Sequence, residues 1–161
     1  MSSNPKIASL ISPNHVVLDV RPGSVREVLA QQLKPLASSG LLSAPDEVLD
    51  LLVQREQLMS TGIRQAMAVP HTFTGQLIKP CLVVARCPQG TDFSALDGSP
   101  THWFFLLLVP QATPGIHLKL LSRLSRLLND DSLLDSLNPA TTPEQVIATL
   151  TSFEDALDAI Q

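Results

Sequence analysis

Residues 55–72 read Arg55-Glu-Gln-Leu-Met-Ser-Thr-Gly-Ile-Arg-Gln-Ala-Met-Ala-Val-Pro-His-Thr72. In order, the stretch holds a helix end, a loop punctuated by Gly62, a short apolar strand over Ala66 to Val69, and a proline followed at once by a histidine. Pro70 has no N–H, so it ends a sheet ladder well. His71 is then expected at a strand end, where loops carry chemistry. A single histidine in such a place is more often structural than chemical, so its surroundings decide.

Upstream, His15 to Val20 reads as a strand and Arg21-Pro22-Gly23 as a turn. Ser24 and Glu27 have the spacing of a capping box. The helix they start carries Val25, Val28, Leu29, Leu33 and Leu36 on one face. Pro35 is expected to kink it or end it early, and Gly40 closes the region. Ser43-Ala44-Pro45-Asp46 starts a second helix, with proline in its first turn. It should run to about Gln57 and bury Val48, Leu49, Leu52 and Val53. Arg55 falls near its end, where a cation suits the helix dipole.

Downstream, Cys81 to Cys87 reads as a strand turned by Pro88-Gln89-Gly90, and Asp97-Gly98 is a hairpin signal. His102 to Val109 is nearly all apolar and is expected at the sheet centre, covered on both faces. Thr113 and Pro114 read as N-cap and first residue of a helix that buries Leu120, Leu121, Leu124, Leu127 and Leu128 and leaves Arg123 and Arg126 in water. A short helix follows over Leu133 to Leu137. Thr142-Pro143-Glu144 repeats the cap signal before a last helix whose apolar face is Val146, Leu150, Phe153, Leu157 and Ile160. This order gives an α/β fold: one domain over residues 1–161, a mixed β-sheet with helices on both faces.

Composition narrows the function. A chain of 161 residues with 44% hydrophobic and 16% charged residues is globular. A net charge of −4 and scattered basic residues argue against nucleic acid as the main partner. The longest apolar run, Trp103 to Val109, is far short of the roughly 20 residues of a membrane helix. The first residues lack the pattern of a signal peptide. If Cys81 and Cys87 share one strand, their Cα atoms lie roughly 20 Å apart, too far for a disulfide. Both read as reduced core residues of a cytoplasmic protein.

A second histidine, His117, sits in Thr113-Pro114-Gly115-Ile116-His117, the expected first turn of a helix. One histidine at a strand end and one at a helix N-terminus suit the handling of an anionic group. His15 and His102 are most simply structural.

The segment from Arg55 to Thr72 resembles the signature of enzyme IIA of the phosphoenolpyruvate-dependent phosphotransferase system, mannitol/fructose class, with its nitrogen-regulatory branch. The matching features are Arg55-Glu56, Ser60-Thr61-Gly62-Ile63 and Val69-Pro70-His71. Downstream, residues 91–110 resemble the family's Asp-Gly turn and apolar strand, and residues 115–128 the helix with its second histidine. The resemblance implies that His71 accepts a phosphoryl group from a small histidine-phosphorylated (HPr-like) carrier protein. It makes His117 the assisting donor and Arg55 the cation beside the phosphate. It implies no metal or other cofactor, no nucleic acid and no membrane insertion.

The chemistry agrees. Neutral imidazole is a nitrogen nucleophile near pH 7, and phosphoryl transfer needs mainly positioning and charge stabilisation. Arg64, Ala66 and Thr72 depart from the family pattern, which is richer in glycine and small residues there; they are expected either to narrow the phosphate pocket or to point its backbone N–H groups elsewhere. The chain ends soon after its last helix, which favours a regulatory, nitrogen-type phosphocarrier. The alternatives are a sugar-specific IIA that passes phosphate to a IIB transporter partner, and a non-catalytic IIA-like signalling module.

Overall fold

Ten residues from Thr101 to Pro110 form the spine of the sheet, and every one except His102 is buried. They are seen in a computed structural model that describes residues 6–63 and 66–160. In chain order its elements are β1 (Val16–Val17), α1 (Val25–Ser38), α2 (Pro45–Leu58), β2 (Gly62–Ile63), β3 (Met67–Ala68), β4 (His71–Thr74), β5 (Cys81–Thr91), β6 (Thr101–Pro110), α3 (Pro114–Leu128), α4 (Leu133–Leu137) and α5 (Pro143–Ile160). The sheet order is β1-β5-β6-β3-β2, with β4 also beside β6. β5 and β6 are antiparallel, whereas β3 and β4 run parallel to β6. The sheet is therefore mixed, as the element order implied.

Alternation along β6 builds two cores. Trp103, Phe105, Leu107 and Val109 face α3, α4 and α5, with Leu120, Leu124, Leu133, Val146 and Leu150. Phe104, Leu106 and Leu108 face α1 and α2, with Val28, Leu29, Leu33, Val48 and Leu52. This period-two burial explains why β6 reads as a continuous apolar run. No helix of the described residues is long and apolar enough to cross a membrane.

Several local expectations are corrected. Pro35 does not end α1, which runs on to Ser38. The ring removes one N–H in the last turns, and a Schellman closure compensates: Gly40, at φ +81°, donates to Ala37 O, and Leu41 donates to Leu36 O. Pro88-Gln89-Gly90 does not turn the chain. β5 continues to Thr91 through an irregularity in register after Arg86. Gly90, at φ +77°, lies so close to the His102 ring that a Cβ would meet Nε2 at 2.8 Å. The Asp97-Gly98 turn does lie in the β5–β6 connection, closed by Gly98 N–H to Ala95 O.

The start of α3 lacks the expected cap, since the Thr113 side chain makes no capping hydrogen bond. Arg123 is not in water. It is 7% exposed, with Nε donating to Glu154 at 2.6 Å and Nη2 to Asp158 at 2.7 and 2.8 Å. Arg126 is exposed as expected. Val53 is only half-buried and Ile160 is 82% exposed. Cys81 and Cys87 are buried free thiols on one strand. Burial pushes the Cys81 thiol up to about 11, which keeps it protonated and inert.

Candidate functional site

His71 does not end a strand. Met67 and Ala68 align with Trp103 and Phe104, and His71 aligns with Leu107, the same offset on either side of Val69-Pro70. Pro70 interrupts the ladder because it cannot donate, but its carbonyl still accepts from Leu107 N–H at 2.9 Å. The chain therefore resumes in register, and His71 opens β4. Register with Leu107 and Val109 puts His71 and Phe73 on the α3 side of the sheet.

The imidazole of His71 is half-buried, and Nδ1 lies 2.8 Å from the Val69 carbonyl. A carbonyl can only accept, so Nδ1 carries the hydrogen and the lone pair is on Nε2. Burial lowers the pKa of His71 more than the Val69 hydrogen bond raises it, and electrostatic interaction with Arg55 and His117 lowers it further. The ring is thus poised neutral, as a nucleophile must be.

Arg55, from the last turn of α2, and His117, from the first turn of α3, border the same small cavity as His71. The three residues singled out from the sequence are therefore brought together from a strand and two helices. Beside them opens a cleft of about 570 Å³, whose walls include Val69, Leu121, Leu124 and Leu128, with Ser60, Thr61 and Ser125 among its polar members. Leu58 and Met59 stand at it 87% and 76% exposed.

The Ser60-Thr61 hydroxyls fix the loop. Thr61 donates through both its N–H and its hydroxyl to the Glu56 carboxylate. Ser60 donates to Phe93 O and accepts from Gly62 N–H. Burial raises the Glu56 pKa, against the hydrogen bonds from Thr61 and the charge of Arg55. Gly62 is needed by contact: a Cβ there would meet Ala95 Cα at 2.9 Å.

Two contributors escaped the sequence reading. Glu56 was seen only as the neighbour of Arg55, although its spacing from Thr61 allows a helix end to clasp the next loop. Phe73 meets the His117 ring edge-on, with centroids 4.6 Å apart and planes at 66°. Its signal was strand alternation, because a residue two beyond His71 shares its face. Thr72 falls instead on the opposite face with Leu108, and its hydroxyl donates to Phe73 O, although it also borders the small cavity. Arg64 lies outside the described residues. Ala66 adopts φ +65°, a left-handed conformation that favours glycine.

Residues 9–153 match the family model described as "Phosphoenolpyruvate-dependent sugar phosphotransferase system, EIIA 2". The chain belongs to this family. A nitrogen regulatory protein of Pseudomonas aeruginosa is 32% identical over 139 residues, 86% of this chain and 90% of that protein. The fructose-specific EIIABC component of Bacillus subtilis is 29% identical over 142 residues. That match covers 88% of this chain but only 22% of the larger protein. The crystal structure of nitrogen regulatory protein IIA-Ntr from Neisseria meningitidis superposes with a TM-score of 0.81 at 32% identity, covering 89% of this chain and 98% of that one. This EIIA protein thus has the fold that its sequence implied, and both nitrogen-regulatory and sugar-system relatives.

Proposed function

We propose that this EIIA protein is a phosphohistidine carrier in which Nε2 of His71 accepts a phosphoryl group from a histidine-phosphorylated carrier protein. The reading rests on one observation, the 2.8 Å contact of His71 Nδ1 with Val69 O. It fixes the tautomer and leaves the nucleophilic lone pair on Nε2. In the transfer, that lone pair forms the new N–P bond as the P–N bond to the donor histidine breaks. The departing imidazole nitrogen keeps the bonding pair. Negative charge spread over the phosphoryl oxygens meets the permanent cation of Arg55 and a donor from His117.

The test is intact-mass analysis at neutral or alkaline pH, which spares the acid-labile phosphoramidate. The protein is incubated with phosphoenolpyruvate, the general phosphotransferase enzyme and its carrier. One phosphoryl group is expected, and His71→Ala should abolish it. His117→Ala should slow transfer by about ten- to a thousandfold, as for loss of one transition-state donor. Undiminished labelling of His71→Ala, or a dominant adduct on His117, overturns the assignment.

The pathway is read as regulatory and nitrogen-type. The likeness to a nitrogen regulatory protein, with a TM-score of 0.81 at 32% identity, supports that branch. Transfer from phosphorylated protein to a purified fructose IIB domain tests it, since efficient transfer would instead favour a sugar-specific component.

A further inference from the structure

Arg86 pairs with Trp103, on β6 before the Leu107 that pairs with His71, and lines a second cleft with different chemistry. That cleft has a volume of about 480 Å³ and shares no lining residue with the cavities at His71. The size is that of a small-molecule site. Its walls are apolar at Pro88, Leu134 and Pro139 and polar at Arg86, His102 and Asn138.

The guanidinium is held but only partly used. Nη1 donates to the carbonyls of Asn138 at 3.3 Å and Ala140 at 2.7 Å. Nε is buried with no partner. The group lies over Trp103, with Cζ 5.5 Å from the ring centroid. Trp103 is itself pinned, its Nε1–H donating to Asn138 Oδ1 at 2.8 Å. Among the described residues no carboxylate lines the cleft and none forms an ion pair with Arg86.

The carbonyl contacts explain why the arginine closes the end of α4. They do not neutralise its charge, and they leave part of a five-donor fork unspent. An uncompensated, half-buried cation is costly, and an incoming anion would offset that cost. Among the described residues Arg86 is the only permanent cation on the cleft, so a single negative charge balances it. The guanidinium offers a carboxylate a charge-assisted hydrogen bond. The apolar walls suit a flat hydrocarbon body better than a free inorganic ion.

We propose that this cleft binds a small organic monocarboxylate, seated on the Arg86 guanidinium with its apolar body between Pro88, Leu134 and Pro139. The site is independent of the phosphoryl chemistry assigned to His71. It does touch the approach to that residue, because Ala66 borders the cleft just before β3, and its carbonyl accepts from His102 N–H at 2.8 Å and Trp103 N–H at 3.0 Å.

Trp103 is the only tryptophan of the chain, so its indole N–H gives a single reporter in an ¹H–¹⁵N spectrum. The full chain is titrated with benzoate, with benzamide, and with inorganic phosphate. Benzoate should shift the indole signal saturably. Benzamide, the same shape without the charge, should bind about ten- to a hundredfold more weakly, the ratio expected for losing a charge-assisted hydrogen bond. Arg86→Gln should abolish the benzoate response, while His71→Ala should leave it unchanged. If Arg86→Gln does not fold, the benzoate–benzamide comparison on the natural sequence still decides. Equal affinity for the two probes, no saturable response to benzoate, tighter binding of phosphate, or loss of binding in His71→Ala would each overturn the proposal.

Discussion

Arg123→Met is the substitution whose cost can be worked most directly from the structure. The guanidinium is 7% exposed and Glu154 1% exposed, and the two meet at 2.6 Å. Glu154 also accepts the N–H groups of Ile7, at 2.5 Å, and Ala8, at 3.0 Å. The pair thus ties α3 to α5 and to the start of the described chain. Methionine fills most of the volume but leaves the Glu154 carboxylate buried with two amide donors and no cation. Breaking one side of such a buried pair costs about 3–5 kcal/mol. Asp158, whose side chain is 32% exposed, should contribute much less because solvent screens it. Against a total stability of about 5–15 kcal/mol, the loss should lower Tm by about 6–20 °C at about 2–4 °C per kcal/mol.

A control locates the effect. Asp158→Asn, which removes only the partly exposed partner, should cost far less than Arg123→Met. Urea denaturation of the natural sequence and both variants measures this. A cost under about 1 kcal/mol for Arg123→Met, or a cost for Asp158→Asn as large as that for Arg123→Met, refutes the reasoning.

Three further outcomes are expected. The His71 ring, followed by NMR, should titrate below the ordinary histidine value of about 6.5, because burial and the neighbouring charges disfavour imidazolium. More than half of the rings should therefore still be neutral at pH 6.5, and an inflection above that pH contradicts the environment described. Phe73→Leu should slow phosphoryl transfer by about two- to twelvefold, the equivalent of an aromatic pair worth about 0.5–1.5 kcal/mol; transfer as fast as in the natural sequence shows that the edge contact does not position His117. Gly62→Ala should destabilise by about 1–3 kcal/mol, read by urea denaturation, because its Cβ would meet backbone at Ala95; an unchanged midpoint would mean that the 92–100 loop yields freely.

The parts of the fold legible in the sequence are those governed by period and cap chemistry. The Ser24–Glu27 capping box is present with both of its hydrogen bonds. α4 spans Leu133–Leu137 as read, and the run up to Val109 is the covered central strand. What escaped were contacts between residues far apart in sequence. Arg123 and Arg126 look alike on a helical wheel, yet only Arg123 meets two carboxylates, one 31 and one 35 residues away. Pro88 and Gly90 carry a turn signal, but pairing of β5 with β6 absorbs them as an irregularity within the strand.

The candidate site shows the same division. His71, Arg55 and His117 could be named because each has a local reason to be where it is: a proline before it, a helix end, a helix start. Their convergence could not be derived that way, because it depends on how β4 resumes after Pro70. Had the chain ended its ladder there, His71 would hang in a loop with both ring nitrogens open to water. Instead the in-register pairing with Leu107 returns Val69 O toward the ring, buries one side of the imidazole and fixes its tautomer. The same resumption places Phe73 beneath His117 and turns Thr72 to the other face. A proline that reads as a stop signal is therefore, in three dimensions, what spaces a strand so that its next residue is the proposed phosphoryl acceptor.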